Sequence, residues 1–181
     1  MADRQSWGVK GTAILTELVK MMDVSAAEAQ LLGGLHERAK AQTKDFTDAF
    51  YKRLLGHAAT AEYLDGVSVE RLTGMLGTWF SDLFRGTYDE AYAQQRLKIG
   101  EIHVRIGLPV RYPLAMLDII MPCGEQIAAT SSDPANATTA FRKVLALDVA
   151  LFNQAYEDNQ LAHLADLVGG ERLARLLLAG Q

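Results

Sequence analysis

Apolar residues recur at three- and four-residue intervals along almost the whole of this chain, and nowhere do they alternate as a half-buried strand requires. That property restricts the chain to an all-α fold. A first helix is predicted over about Val9 to Met22, with Ile14, Leu15, Leu18, Val19 and Met22 on one side. Ser25 followed by Glu28 has capping-box spacing, and apolar residues from Leu31 to Leu54 read as two helices meeting near Gln42 to Lys44. Gly56 to Gly66 is the loosest stretch, with one short helical turn around Glu62. A strong helix follows over Val69 to Arg85, with Leu72, Met75, Leu76, Trp79, Phe80 and Leu83 on its apolar face and Gly86 placed to stop it. Thr87 and Glu90 form a second capping-box pattern, opening a helix that runs through Tyr92 and Ile99 and ends at Gly107, before Pro109. Pro113 suits the first turn of the next helix, to about Thr130, which Pro122 should kink; Pro134 opens a long helix through Tyr156.

At 181 residues, 49% hydrophobic and 22% charged, the chain is sized for one globular domain with room for a cofactor. We expect that domain over 1–168, with Gly169-Gly170 separating a tail or coupling segment over 169–181. A net charge of −4 excludes a phosphate-neutralising nucleic-acid binder. No run of 18 apolar residues is present, so no membrane span is expected, and the polar stretch Met1 to Trp7 lacks the apolar core of a leader. A cytoplasmic location is therefore expected. Cys123 is the only cysteine, which excludes an internal disulfide, a cysteine-rich zinc site and covalent attachment of haem through paired cysteines.

The segment Ile99-Gly100-Glu101-Ile102-His103-Val104-Arg105-Ile106-Gly107-Leu108 carries the chemistry. Ile99, Ile102, His103 and Ile106 share a face, so the imidazole enters an apolar interior and needs a partner there. Two readings are open: a core histidine bonded to backbone, or a metal ligand whose other ring nitrogen donates to a carbonyl one turn back, that of Ile99. Gly100 and Gly107 flank His103 without side chains, which points to close approach by something broad and flat, such as a porphyrin. The Val69 to Arg85 helix contains no histidine, so a polar group opposite must come from elsewhere, and Tyr51, at the edge of the face marked by Phe46, Phe50 and Leu54, is the candidate. His36, His57 and His163 read as surface or capping residues.

Ala49-Phe50-Tyr51, Trp79-Phe80 with Leu83-Phe84, Gly86, Tyr88-Asp89, the His103 segment and Arg111-Tyr112 together resemble the globin domains of globin-coupled sensors, the haem-based gas sensors related to protoglobins. The resemblance covers about Phe46 to Tyr156, and its specific part is the His103 segment. It implies a globin fold with an additional N-terminal helix, no strands, and non-covalent haem b with His103 as iron ligand. It implies a pocket lined by Phe50, Tyr51, Leu72, Met75, Leu76, Ile99, Ile106 and Tyr112, with Tyr51 donating to a bound gas. Met75 stands where some members carry threonine and Tyr112 where others carry tryptophan. Arg111, Lys98 and Arg105 are candidate partners for the haem propionates. The resemblance further implies binding of O2 and other diatomic gases, homodimerisation through the C-terminal helices, and an output domain or signalling partner.

Two other functions compete with a non-enzymatic sensor. A globin enzyme acting on O2 or nitric oxide would need an outside reductase, since no flavin or nicotinamide fingerprint is present. A cofactor-free helical dimerisation module would use His103 and its glycines only to pack helices. Met75 adds a rival iron ligand on the opposite side.

Overall fold

A computed structural model describes residues 4–180; Met1 to Asp3, at the head of the polar N-terminal stretch, and Gln181, at the end of the tail, lie outside the described residues. Eleven α-helices and two 3-10 turns, Gln5–Gly8 and Glu62–Leu64, make up the regular structure, with no strand among the described residues. The helices are α1 (Ala13–Met21), α2 (Ala26–Gly33), α3 (His36–Ala41), α4 (Thr43–Leu55), α5 (Ala58–Ala61), α6 (Val69–Asp82), α7 (Glu90–Arg105), α8 (Arg111–Ala115), α9 (Leu117–Ala128), α10 (Pro134–Val168) and α11 (Glu171–Leu178).

The boundaries follow local chemistry. At the start of α2 the Ser25 hydroxyl accepts from the Glu28 N–H and the Glu28 carboxylate accepts from the Ser25 N–H, the reciprocal box predicted there. Ser25→Ala is expected to lower stability by about 1 kcal/mol, or about 2–4 °C in thermal unfolding. The second predicted box is replaced by a simpler cap, in which the carboxylate of Asp89, not Thr87, accepts from the Tyr92 N–H. Asp133 caps α10 through the Asn136 N–H, with Pro134 in the first turn as expected.

Two breaks differ from the predicted ones. The stretch behind Ser25 divides at Gly34–Leu35 as well as at Gln42. The predicted Pro113 to Thr130 helix is interrupted at Met116, whose N–H is shared between the carbonyls of Tyr112 and Pro113, whereas Pro122 lies inside α9. Pro122, Met121 and Asp118 are exposed, so water can solvate the carbonyl that the proline leaves without a donor.

The 35-residue helix α10 is the spine, packed against α7, α9, α2, α1 and α11. The main core gathers Leu32, Phe46, Phe80, Phe84, Ile127 and Phe141 between α2, α4, α6, α9 and α10. A second cluster joins Ile14 and Leu15 of α1 to Tyr92, Leu147 and Leu151, so the additional N-terminal helix covers the junction of α7 and α10. Rings run through the main core in contact: Phe141 stacks on Phe84 (centroids 5.2 Å), Phe84 meets Phe80, and Phe80 stacks on Phe46 (3.9 Å). The series continues through Phe50 to Tyr51 on α4.

Beyond α10, Gly169 takes up a left-handed conformation (φ 83°) that ends the helix, and α11 folds back. Its Arg175 meets Glu171, Glu157 and the ring of Trp7, and Lys10 pairs with Glu171. No helix is long and apolar enough to cross a membrane among the described residues.

Candidate cofactor site

His103 occupies the last full turn of α7, half-buried, with its Nδ1 2.7 Å from the Ile99 carbonyl. A carbonyl only accepts, so Nδ1 carries the proton and Nε2 keeps its lone pair. Burial pushes the imidazole pKa down from 6.5, only partly offset by the bond to Ile99, which keeps the ring neutral. A neutral imidazole with one nitrogen fixed by backbone and the other free is the arrangement a metal ligand requires. The Phe152 ring of α10 meets the imidazole edge to face at 5.2 Å and fixes its rotation.

The corner after α7 is tied twice. Tyr156 donates to the Leu108 carbonyl (2.9 Å) and Tyr63 to the Gly107 carbonyl (3.3 Å). Phe152 and Tyr156 were not among the predicted site residues, because a contact across about fifty positions leaves no mark in local spacing.

Gly100 serves a purpose other than the expected one, and Gly107 ends the helix as predicted. A Cβ at Gly100 would lie 2.6 Å from the Ala155 Cβ and 2.7 Å from the Phe152 carbonyl oxygen, so this glycine admits α10 rather than a cofactor. Gly107 has open space around it and a φ of 71°; it terminates the helix.

On α4, Tyr51 is half-buried beside Phe50, and burial pushes its phenol up to about 12. Its hydroxyl therefore stays protonated, and no hydrogen bond from it is formed among the described residues, which leaves a donor free. Leu72 and Leu76 are partly buried on α6, and Leu76 packs on the main core. Met75 on α6 and Ile106 after α7 are each 50% exposed, and Ile102 is 37% exposed. Large apolar side chains are thus left open on both helices. Helices α6 and α7 are hydrogen-bonded at one end, where Arg96 donates to the Trp79 carbonyl, and do not form a packed pair beyond it. Leu76, Met75 and Leu72 leave that tie in one direction along α6; Ile99, His103 and Ile106 leave it along α7.

Tyr112 sits beside the rings of His57 and Tyr63 at 6.3 and 6.5 Å, with the Arg111 guanidinium over its face. Lys98 and Arg105 lie about 140° and 160° around α7 from His103 at 100° per residue, on its far side, whereas Arg111 opens α8 after the corner. Lys98 pairs with Glu101. Of the remaining histidines, His57 and His163 are exposed as expected, but His36 is partly buried, with Nε2 shielded from solvent 3.8 Å from Asp82. Two surface grooves lie away from the predicted pocket. One, of about 480 Å³, is lined by Gly34, Leu35, Arg38 and Thr130; the other, of about 520 Å³, by Gly11, Leu97, Arg105 and Asp158.

Sequence reading also missed a buried polar cluster. Asp148 on α10 accepts from Trp79 Nε1 (3.1 Å), from the Tyr92 hydroxyl (2.7 Å) and from Arg96 Nε, and all but Trp79 are fully buried. Its signal was available: Arg96 lies on the His103 face of α7, and Asp148 sits among Val144, Leu145 and Leu151.

The chain resembles known proteins along most of its length. It is 28% identical over 132 residues to the heme-based aerotactic transducer HemAT of Halobacterium salinarum, a match that takes in 65% of this chain and 27% of that protein. The chain thus spans about a quarter of that relative's length. Among solved structures, the globin domain of the Geobacter sulfurreducens globin-coupled sensor superposes with a TM-score of 0.73 at 28% identity, over 78% of this chain and 96% of that one. Residues 12–162 match the protoglobin family, and with most of the chain inside that match, the protein belongs to it.

Proposed function

We propose that the protein is a haem-based gas sensor domain that holds haem b through His103 and binds O2 at the Tyr51 side. The observation that carries this reading is the His103 imidazole, neutral, pinned through Nδ1 to Ile99 and flanked by apolar side chains left open on both α6 and α7. The residues fit the group: a free imidazole nitrogen for iron, and Leu72, Met75, Leu76, Ile99 and Ile106 for an apolar macrocycle. Haem supplies a ferrous iron that takes up diatomic gases reversibly. Phe152 and the Ile99 carbonyl hold the ligand ring in one orientation. Tyr51, with Phe50 packed against its ring, would supply the hydrogen-bond donor for a bound gas, and Arg111, now over the Tyr112 ring, would be the basic side chain available to the propionates. Carbon monoxide carries less negative charge and gains less from the same donor.

A hydrogen bond to a group with developing charge contributes about 1.5–3 kcal/mol, or about tenfold to over a hundredfold in release. Tyr51→Phe is therefore expected to speed O2 release at least about tenfold and to change carbon monoxide release less; an equal effect on both gases would sink the assignment of Tyr51.

The same reading assigns 1–168 to the sensor and 169–181 to the start of a coupling segment in a cytoplasmic protein. HemAT is by description a transducer, and this chain matches about a quarter of it, which favours an output domain or signalling partner over catalysis in the globin itself. Leu167, Leu173, Leu177 and Leu178 are 47% or more exposed on the end of α10 and on α11, which suits homodimerisation through the C-terminal helices. The deciding test is the visible spectrum of the purified ferrous protein before and after O2. A haem band that shifts with oxygen supports the sensor. No haem uptake, even after reconstitution, leaves the helical dimerisation module in its place, and steady turnover with an added reductase favours the enzyme.

A further inference from the structure

We propose that the buried Arg96–Asp148 pair, with Trp79, is the positioning element of the site: it sets the separation of α6 and α7 and thereby the placement of His103. The second half of this inference rests on the haem reading above; the first half does not. Among the described residues Asp148 is the one side chain that receives hydrogen bonds from both helices, Trp79 of α6 and Tyr92 and Arg96 of α7. Arg96 closes the ring by donating to the Trp79 carbonyl at 3.2 Å, with its guanidinium 4.1 Å over the Tyr92 ring. Among the described residues this is the only place where α6 and α7 are hydrogen-bonded to each other.

The cluster continues directly to the histidine. Two turns along α7 from Arg96 is His103, and one turn along α10 from Asp148 is Phe152, which touches that imidazole. Between them Gly100 lets the two helices approach until its Cα region meets Ala155 and the Phe152 carbonyl. A shift at the ion pair therefore moves the ring, because close-packed helices do not absorb it. Stability alone gives a poor account of such a cluster, since well-packed apolar residues in place of a buried ion pair are commonly as stable or more so. Fixing one geometry for groups on three helices is what the charges add.

Two variants separate positioning from packing. Asp148→Asn keeps the shape but leaves one acceptor oxygen where there were two, so an amide N–H must face either the Trp79 indole or the Tyr92–Arg96 pair. Arg96→Met with Asp148→Leu removes both charges and restores apolar packing. With Cys123→Ser as background, nitroxide labels at exposed positions 71 and 101 report the α6–α7 distance in the haem-free protein. The iron–histidine stretching band and O2 release report His103 in the loaded one. We expect both variants to widen the distance distribution at least about twofold, to move the band, and to change O2 release about threefold or more. The double variant leaves the Tyr92 hydroxyl without its acceptor, so with Tyr92→Phe added it is further expected to recover most of the wild-type melting temperature without recovering the band. Unchanged distances overturn the proposal, as does a band that returns to its wild-type position when stability returns. A wild type that takes up no haem while the distances still widen overturns the haem reading and leaves the gap-setting role supported.

Discussion

His103→Ala should leave a folded helical protein that has lost its haem. Removing a group that only orients a metal ligand costs about 10–100-fold in affinity, and removing the ligand itself should exceed that, so at least about a hundredfold weaker retention is expected. Nothing near by replaces the imidazole. His57 lies against Tyr112, His36 faces Asp82, and no cluster of three or more histidine, cysteine or acidic side chains suited to a metal exists among the described residues. Alanine is a better helix former than histidine, so α7 itself should persist. Gel filtration after reconstitution, read at the haem band, measures the loss; free imidazole diffusing into the space vacated beside Phe152 should restore part of the band. Full haem retention with an unchanged spectrum would move the assignment to Met75, the thioether on the opposite helix.

Gly124→Ala should be the most damaging small substitution in the core. A Cβ at this position would lie 1.9 Å from Cζ of Phe141 and 2.3 and 2.5 Å from its Cε atoms, inside any tolerable contact. The ring cannot swing away, because it is fully buried and stacked on Phe84 with planes 9° apart. Helices α9 and α10 must separate instead. Overpacking commonly costs about 1–3 kcal/mol, and a clash against a ring with no free side belongs at or above the upper end, lowering the melting temperature by about 6–12 °C. Adding Phe141→Leu should recover more than half of that, a coupling read directly from a double-mutant cycle. A loss under about 1 kcal/mol for the single variant would mean that the α9–α10 contact is far softer than its geometry indicates.

Signals confined to a few neighbouring residues were legible in the sequence. The Ser25–Glu28 box, the proline at the head of α10 and the glycines at 107 and 169 act on adjacent backbone, and each stands where local chemistry put it, whereas α6 ends at Asp82, short of Gly86, which lies against Ala29 and Gly33 of α2. The His103–Ile99 bond spans one turn and was equally accessible. What failed was inference about neighbours far along the chain. Gly100 looked like room for a flat ligand and is room for Ala155. Arg96 and Asp148, 52 positions apart, went unread because a charge in a helix is ordinarily solvated, and only the fold brings the two together. At the candidate site His103 and Tyr51 were named from sequence, while Phe152 and Tyr156, which contact that histidine and its corner, were not.

The length of α10 gives its contact with His103 a mechanical consequence. Its 35 residues extend about 52 Å, and Phe152 stands near the middle, with Val168 sixteen positions, or about 24 Å, farther on. A helix held at its centre acts as a lever: a tilt of about 5° at the imidazole contact displaces the far end by about 2 Å. That is comparable with the 1–2 Å shifts by which helices at subunit interfaces switch between arrangements. Whatever docks against the last turns of α10 thus feels the proximal ring as a displacement of the rod's tip, with no rearrangement needed in the helices between.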